Sequence, residues 1–227
     1  MMKKLIFYIE QNSNIFFSSS LLVLTIISIL ILTYFLNYNK KNDYSDINNL
    51  MIVTHPTDEL IFGGSHLLND SYLVVCITCT KEDKEFINLI NNTNDKYILL
   101  EIEEYNNGSI SNFNNEYNSI YNSLKEIIKL KKWNIIVTHN PEGEYGHKQH
   151  KIISNIVTSI TTKNLYYFGK YYSPNTIKDY YTELTPILNK EDKYQLLRFY
   201  PKEDILSNFI HQLYYENWLP YEQWGDE

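Results

Sequence analysis

Four side chains of types that bind metal ions are concentrated in two short stretches of this 227-residue chain. His55 and Asp58 lie three residues apart in the first stretch, and His147 and His150 lie three residues apart in the second. On a helix, residues three apart lie on nearly one face, so both imidazoles of the second stretch would point the same way. Two histidines and one carboxylate form a common open zinc site that leaves a position for water. Such a metal lowers the pKa of its bound water to about 7 and polarises a carbonyl group.

Spacing alone leaves a second interpretation open, because an individual histidine is more often an ordinary surface or core residue than a ligand. The chain has six histidines, and three of them fall in these two stretches. Another histidine, His139, lies close by in the sequence. This concentration favours a metal site without excluding structural roles.

Short apolar runs alternate with amphipathic segments from residue 50 onwards. This alternation predicts an α/β fold, a Rossmann-like parallel sheet with helices on both faces. Ligands of such sheets bind beyond the carboxyl ends of the strands, which is where both stretches fall. The predicted strands are 50–54, 72–78, 97–101, 134–138 and 165–168. One predicted helix follows residue 59 and ends near residue 68, and three more cover 81–90, 116–131 and 147–161. Residues 105–115 are predicted to form a loop.

An uncharged apolar run at 16–36 predicts one transmembrane helix before this domain. Its 21 residues would span roughly 31 Å as a helix, which matches the hydrocarbon core of a bilayer. The predicted organisation is therefore a tail (1–15), a transmembrane helix (16–36), a linker (37–48) and one catalytic domain (49–227). We expect a single-pass membrane protein that is attached to the membrane by this helix.

The remaining composition is that of a globular protein, with 44% hydrophobic and 21% charged residues. The net charge of −7 argues against a nucleic-acid partner, which normally leaves a basic footprint. Cys76 and Cys79 are the only cysteines. We expect them on opposite faces of a strand, as two small buried residues rather than a redox or metal pair.

The two stretches resemble the two signatures of the LmbE-like deacetylases, a family that includes the N-acetylglucosaminylphosphatidylinositol de-N-acetylases. THPTDELIFGG at 54–64 resembles AHPDDE-x-x-x-GG, and THNPEGEYGHKQH at 138–150 resembles THNPxGExGHxxH. They occur in the family's order, about eighty residues apart. The resemblance covers 50–161 and is weak in the tail, 173–227. The resemblance implies hydrolysis of the N-acetyl group of an N-acetylglucosamine conjugate, which would be a glycolipid or a glycan. It also implies a location at an endoplasmic reticulum membrane, with the domain facing the cytoplasm.

The resemblance also implies roles for individual residues. His55, Asp58 and His150 match the ligands of Zn²⁺ or another divalent metal. His147 matches the histidine that stabilises the oxyanion or protonates the leaving amine, and Tyr145 falls where related enzymes polarise the carbonyl group.

Four further positions match less specific parts of the two signatures. Gly63 and Gly64 would let the backbone approach the substrate closely. Asn140 and Glu144 would hydrogen-bond sugar hydroxyls, with capping of their own loop as an equal alternative.

Thr57 departs from the signature, because the family has its general-base aspartate there. A threonine hydroxyl does not accept a proton near neutral pH. Loss of a general base typically costs a factor of about 10² to 10⁴ in rate. Glu59 and Glu144 are the nearby carboxylates that could replace it, although Glu59 better matches a ligand-orienting role. The alternative function is therefore a catalytically impaired relative that binds a sugar or glycolipid or acts as a scaffold.

Overall fold

The computed structural model of the chain describes residues 26–29, 43–106, 108–180, 184, 186–201 and 207–224. It divides into two compact units, 1–46 and 47–227. In the first unit the described residues 26–29 are helical. The predicted tail 1–15, most of the predicted segment 16–36 and the first half of the predicted linker, 37–42, lie outside the described residues.

The second unit is built on a mainly parallel sheet, which confirms the predicted α/β class. Its strands are β1 (Asn49–Val53), β2 (Tyr72–Cys76), β3 (Lys96–Leu99), β6 (Ile135–Thr138), β7 (Leu165–Tyr167) and β8 (Leu219–Pro220). Their order is β3-β2-β1-β6-β7-β8. All neighbours are parallel except β8, which pairs antiparallel with β7. A hairpin of β4 (Tyr105–Asn106) and β5 (Ser109–Ile110) lies in the segment predicted as loop.

Five α-helices accompany the sheet in the described part of the chain. They are α1 (Asp58–Asn69), α2 (Lys84–Asn92), α3 (Tyr117–Lys129), α4 (Lys148–Ile160) and α5 (Lys190–Gln195). α1 packs against α5, and α3 packs against α4. Four of these helices lie within a few residues of their predicted positions, whereas α5 belongs to the tail.

The central strands are buried on both faces, as the continuous apolar runs predict. Met51 and Val53 join the core cluster formed with α1 and α2. Leu50 and Ile52, whose side chains point to the opposite face, are just as fully buried. β1 lies between β2 and β6 in the sheet. The chain adds β2 and β3 on one side of β1 and then returns to add β6 and β7 on the other side. The carboxyl ends of β1 and β6 therefore border the crevice in which ligands of such sheets bind.

The prediction of a single-pass membrane protein is wrong. Among the residues that the structure describes, no helix is both long enough and apolar enough to cross a membrane. The longest of them, α3 and α4, have 13 residues each, which corresponds to about 20 Å and falls short of a hydrocarbon core of about 30 Å. The apolar run at 16–36 lies outside the described residues except for 26–29. The expected attachment to an endoplasmic reticulum membrane is corrected with it.

The two cysteines form a disulfide, which corrects the expectation of two unpaired residues. Cys76 is the last residue of β2, and Cys79 follows in the loop. The strand ends at Cys76 and the chain bends, so the Cα atoms lie 5.4 Å apart. An extended strand would have kept the two side chains on opposite faces. Both residues are fully buried.

A buried carboxylate beside the start of β2 makes the stability of the fold depend on pH. Asp95 accepts a 2.6 Å hydrogen bond from the Tyr72 N–H, and burial raises the pKa of Asp95 to about 7. Between about pH 4 and pH 7 the folded protein holds a proton that the unfolded chain has released, so the free energy of unfolding falls as pH rises. Asp95→Asn keeps the accepting oxygen and does not titrate.

We expect Asp95→Asn to exceed the wild type in free energy of unfolding by roughly 2–4 kcal/mol at pH 8, and by much less at pH 4. Urea unfolding at pH 4, 6 and 8 measures the difference. Asp70→Asn changes an exposed carboxylate nearby and serves as the control. A constant difference between Asp95→Asn and the wild type over this pH range would contradict the prediction.

Candidate metal centre

The first part of the site is the tight turn that joins β1 to α1. Thr57 is the residue before the helix and has a left-handed backbone conformation (φ 85°). Such a conformation is costly for a β-branched residue. The carbonyl group of Thr57 accepts the hydrogen bonds of Leu60 and Ile61 N–H, so the turn starts the helix immediately. This turn places His55 and Asp58 side by side at the end of β1.

Three ligand atoms converge at the end of the sheet. His55 Nδ1 lies 3.1 Å from His150 Nε2, and Asp58 Oδ2 lies 3.4 Å from each of these nitrogens. Ligand atoms at about 2.0–2.1 Å from a tetrahedral ion are separated by about 3.3–3.4 Å. The triangle therefore has the dimensions of one face of a tetrahedral metal site. These three residues are the ligand set expected from the sequence.

The outer nitrogen of each histidine is held by an acceptor. His150 Nδ1 lies 2.6 Å from Glu144 Oε2, and His55 Nε2 lies 2.6 Å from Gln149 Oε1. If each outer nitrogen donates to its acceptor, each inner nitrogen carries a lone pair. Two lone pairs and a carboxylate oxygen then face one point, an arrangement that a cation stabilises.

Asp58 is ionised although it is buried. Burial opposes ionisation, but the three neighbouring histidines, His150 first and then His139 and His55, hold the pKa of Asp58 well below its usual range. Its Oδ2 also accepts a 2.8 Å hydrogen bond from the backbone N–H of His55. The carboxylate is therefore oriented towards the two histidines.

His139 is one alternative ligand, because Asp58, His139 and His150 form a group that could hold an ion, as do His55, His147 and His150. His139 Nε2 lies 3.4 Å from Asp58 Oδ2. However, the Thr54 N–H donates to the same nitrogen at 3.0 Å, so its lone pair is already engaged. The other nitrogen, Nδ1, lies 3.1 Å from Glu144 Oε2. His139 therefore supports the site from behind, with its ring stacked on that of His150.

His147 and Tyr145 face the open side of the site. His147 Nδ1 is buried and has no hydrogen-bond partner among the described residues. Burial, followed by the nearby His150 and His55, lowers the pKa of His147 to about 4, so its ring is neutral at pH 7. Tyr145 is 41% exposed, and burial of the rest of the ring raises the pKa of its hydroxyl, which therefore keeps its proton.

A cavity of about 300 Å³ opens in front of these residues. It is lined by metal-binding side chains, carboxylates and aromatic rings, namely His55, Thr57, Asp58, Phe62, Asp83, Glu104, Tyr145, His147 and Phe209, with Pro56 and Ile61. A second cavity of about 690 Å³ shares Tyr145 and His147 with the first and extends to the β4–β5 hairpin. The site is thus accessible to a molecule larger than a single small group.

Asn140 and Glu144 are not among the residues that line this cavity, and their contacts favour the alternative in which they cap their own loop. The Asn140 side chain donates to Phe168 and Gly169 carbonyl oxygens and accepts from the backbone of its own loop. Glu144 is buried, and its oxygens lie against the Asn140 N–H and the rings of His139 and His150. Their polar atoms are used inside the loop and behind the ligands.

Gly63 and Gly64 pack against other parts of the fold and are not among the residues that line the cavity. A Cβ on Gly63 would meet the Met51 side chain, and one on Gly64 would lie 3.1 Å from Lys193 Cε. Both glycines sit inside α1. They let this helix pack closely on β1 and on the tail.

Glu59 points away from the cavity. Its Oε1 accepts a 2.5 Å hydrogen bond from the Tyr200 hydroxyl, and the Thr57 N–H donates to the same hydroxyl at 3.3 Å. Burial raises the pKa of Glu59 to about 8. Glu59 therefore fixes the turn through Tyr200 and does not replace the missing aspartate.

Sequence reasoning missed Gln149, Tyr200 and Phe209. Gln149 is the residue before a predicted ligand, but nothing in its type indicates a partner 94 residues away. Tyr200 and Phe209 belong to the tail, where the resemblance to the deacetylase signatures is weak. Tyr200 is one of 21 tyrosines in the chain, so its residue type does not mark it as part of the site.

Comparison with known proteins identifies a relative but no activity. No family model matches the chain. A protein of Acanthamoeba polyphaga mimivirus, named "Uncharacterized protein L374", is 34% identical over 179 residues, which cover 68% of this chain and 76% of the viral protein. The chain belongs to the family of this mimivirus protein. Because the relative's name states no activity, the resemblance to the LmbE-like deacetylases stays a prediction.

In this member of the mimivirus protein's family, the geometry of the site predicts that His55 is a metal ligand and that His139 is not. We expect His55→Asn to weaken Zn²⁺ binding at least about 100-fold, because it removes an inner lone pair. We expect His139→Asn to weaken it less, by about 10-fold and at most about 100-fold, because its effect is transmitted through orientation alone. Competition with a chromophoric chelator measures both affinities, and circular dichroism verifies that each variant is folded. The reverse order of the two effects would favour the ligand set that contains His139.

Proposed function

We propose that this chain is a zinc-dependent de-N-acetylase that hydrolyses the N-acetyl group of an N-acetylglucosamine conjugate. The observation that carries the proposal is the triangle of His55 Nδ1, Asp58 Oδ2 and His150 Nε2. Its dimensions fit a divalent ion, and it lies beside a cavity at the end of a parallel sheet. The resemblance of both stretches to the deacetylase signatures supports the reaction type. We also propose that the sheet and its helices form a Rossmann-like fold.

The donor set suits zinc, because zinc prefers imidazole nitrogens together with one carboxylate and keeps an open position. When bound there, zinc would polarise the acetyl carbonyl group and make water more acidic. The protein holds the ligands ready, since Glu144 and Gln149 orient His150 and His55. These contacts limit the reorganisation that binding requires.

His147 and Tyr145 are the groups that would act on the substrate. In the proposed hydrolysis, a water oxygen bonds to the acetyl carbon, the carbon–nitrogen bond breaks, and a proton from the water reaches the leaving amine. The neutral His147 ring borders the cavity and can take this proton and pass it on. The protonated Tyr145 hydroxyl can donate to the carbonyl oxygen as negative charge develops there.

The catalytically impaired relative stays the second candidate, because one observation favours it. Thr57 lines the cavity where the family signature has its general base. The two carboxylates that could replace that base on sequence grounds, Glu59 and Glu144, are both engaged elsewhere. A protein that binds a sugar conjugate without turnover would have these features.

Substitution at Thr57 separates the two candidates. Thr57→Asp adds a base, and Thr57→Asn is a matched control of similar size without one. Asp and Asn both tolerate the left-handed backbone better than threonine, so neither variant should disturb the turn. We expect Thr57→Asp to release acetate at least about tenfold faster than the wild type, within the range typical of a general base. Thr57→Asn should stay near the wild-type rate.

The assay uses the full chain with Zn²⁺, N-acetylglucosaminylphosphatidylinositol or diacetylchitobiose as substrate, and enzymatic detection of acetate. A chelator should abolish release, and added Zn²⁺ should restore it. No release from the wild type and Thr57→Asp, both with zinc bound, would overturn the enzyme proposal. Binding of either substrate without release would then support the second candidate.

A further inference from the structure

Gln149 is a fully buried side chain directly behind one predicted ligand. It lies in the first turn of α4, next to His150, and its Oε1 is 2.6 Å from His55 Nε2. Gln149 is not among the residues that line the cavity in front of the site. Its side chain therefore acts on the site only through His55.

The orientation of the Gln149 amide is fixed by its other hydrogen bonds. The amide nitrogen donates to the Glu104 carbonyl oxygen at 3.1 Å and to the Ser111 carbonyl oxygen at 2.9 Å. Both of its hydrogens are thus used, and a flipped amide would place an oxygen against two carbonyl oxygens. The oxygen must therefore face His55, and His55 Nε2 must be the donor. This leaves the lone pair on His55 Nδ1, the atom that faces Asp58 and His150.

From this geometry we infer that Gln149 is a positioning residue, which fixes the tautomer and the direction of His55 as a metal ligand. The inference rests on the metal-binding part of the proposed function and not on the deacetylation. It also assigns a role to the segment around the β4–β5 hairpin. The carbonyl oxygens of Glu104 and Ser111, on either side of this hairpin, hold the amide that holds the ligand.

A neutral amide suits this position better than a carboxylate does. Glu144 already places a buried carboxylate behind His150, and Asp58 adds a second one among the ligands. A third buried carboxylate would lower the free energy of unfolding of the metal-free protein, because of its desolvation and its repulsion of the Glu104 and Ser111 carbonyl oxygens, while it would still accept the His55 proton. Gln149 accepts the His55 proton without adding charge.

Two variants of Gln149 separate a positioning role from a purely structural one. Gln149→Met removes the acceptor and both donors at similar size. Gln149→Glu keeps an acceptor for His55 but loses the donors to the hairpin segment. We expect Gln149→Met to weaken Zn²⁺ binding about 10- to 100-fold, as loss of an orienting partner does. We expect Gln149→Glu to stay within about threefold of the wild-type affinity or to bind more tightly.

The experiment measures Zn²⁺ affinity of the full chain by competition with a chromophoric chelator, and records thermal unfolding of each metal-free variant. Gln223→Met, at an exposed position, controls for the change of side chain. Nitrogen-15 spectra of the histidine rings in the metal-free protein give a second readout. The wild type should show His55 protonated at Nε2, and Gln149→Met should lose this preference even if its affinity is hard to measure.

The outcomes distinguish this inference from the proposed function. A wild type that does not bind Zn²⁺ would overturn the metal-binding part of the proposed function. A wild type that binds Zn²⁺ while Gln149→Met binds equally well, with an unchanged His55 tautomer, would overturn the inference alone. Equal losses in Gln149→Met and Gln149→Glu would also overturn it, because they would assign Gln149 to holding the hairpin segment.

Discussion

The parallel pairing of β1 with β6 is the constraint on which the rest of this site depends. Ile52 of β1 is in register with Thr138 of β6, so the residues that follow both strands emerge at one edge of the sheet. Residues 54–58 and 139–150 are far apart in the chain, and this register brings them together. The distances from His150 to His55 and to Asp58 depend on it. The burial of β1 on both faces keeps the register fixed, because a shifted strand would displace its apolar side chains from the core.

The site also shows how buried charge is compensated inside this fold. Asp58 and Glu144 are both buried, and each is surrounded by N–H groups and imidazole rings. Glu144, for example, contacts the Asn140 N–H and the rings of His139 and His150. A buried carboxylate without such partners would be protonated or would destabilise the fold. The surroundings of Glu144 therefore explain why it supports the ligands and is not exposed to substrate.

The tail contributes side chains to the site although the resemblance is weak in this part of the chain. The Tyr200 hydroxyl bridges Glu59 and the Thr57 N–H, which stabilises a turn whose backbone is strained at Thr57. Phe209 contributes an aromatic wall to the cavity. The tail also holds α1 by a buried pair, in which Lys193 Nζ lies 2.5 Å from Glu216 Oε1 and donates to the Ile61 carbonyl oxygen. The position of the His55–Asp58 turn thus depends on residues more than a hundred positions away.

The amino-acid sequence predicts the α/β alternation, the approximate positions of the elements and the location of the histidines and Asp58 at strand ends. These features depend on local periodicity, which a short window of residues expresses fully. It did not determine which ring nitrogens face the centre, because that depends on Gln149, Glu144 and Thr54 as hydrogen-bond partners. It left open whether Asn140 caps its own loop, and it did not reveal the packing contacts of Gly63 and Gly64. These points became clear from the folded structure, because a side chain's role is set by the neighbours that folding brings to it.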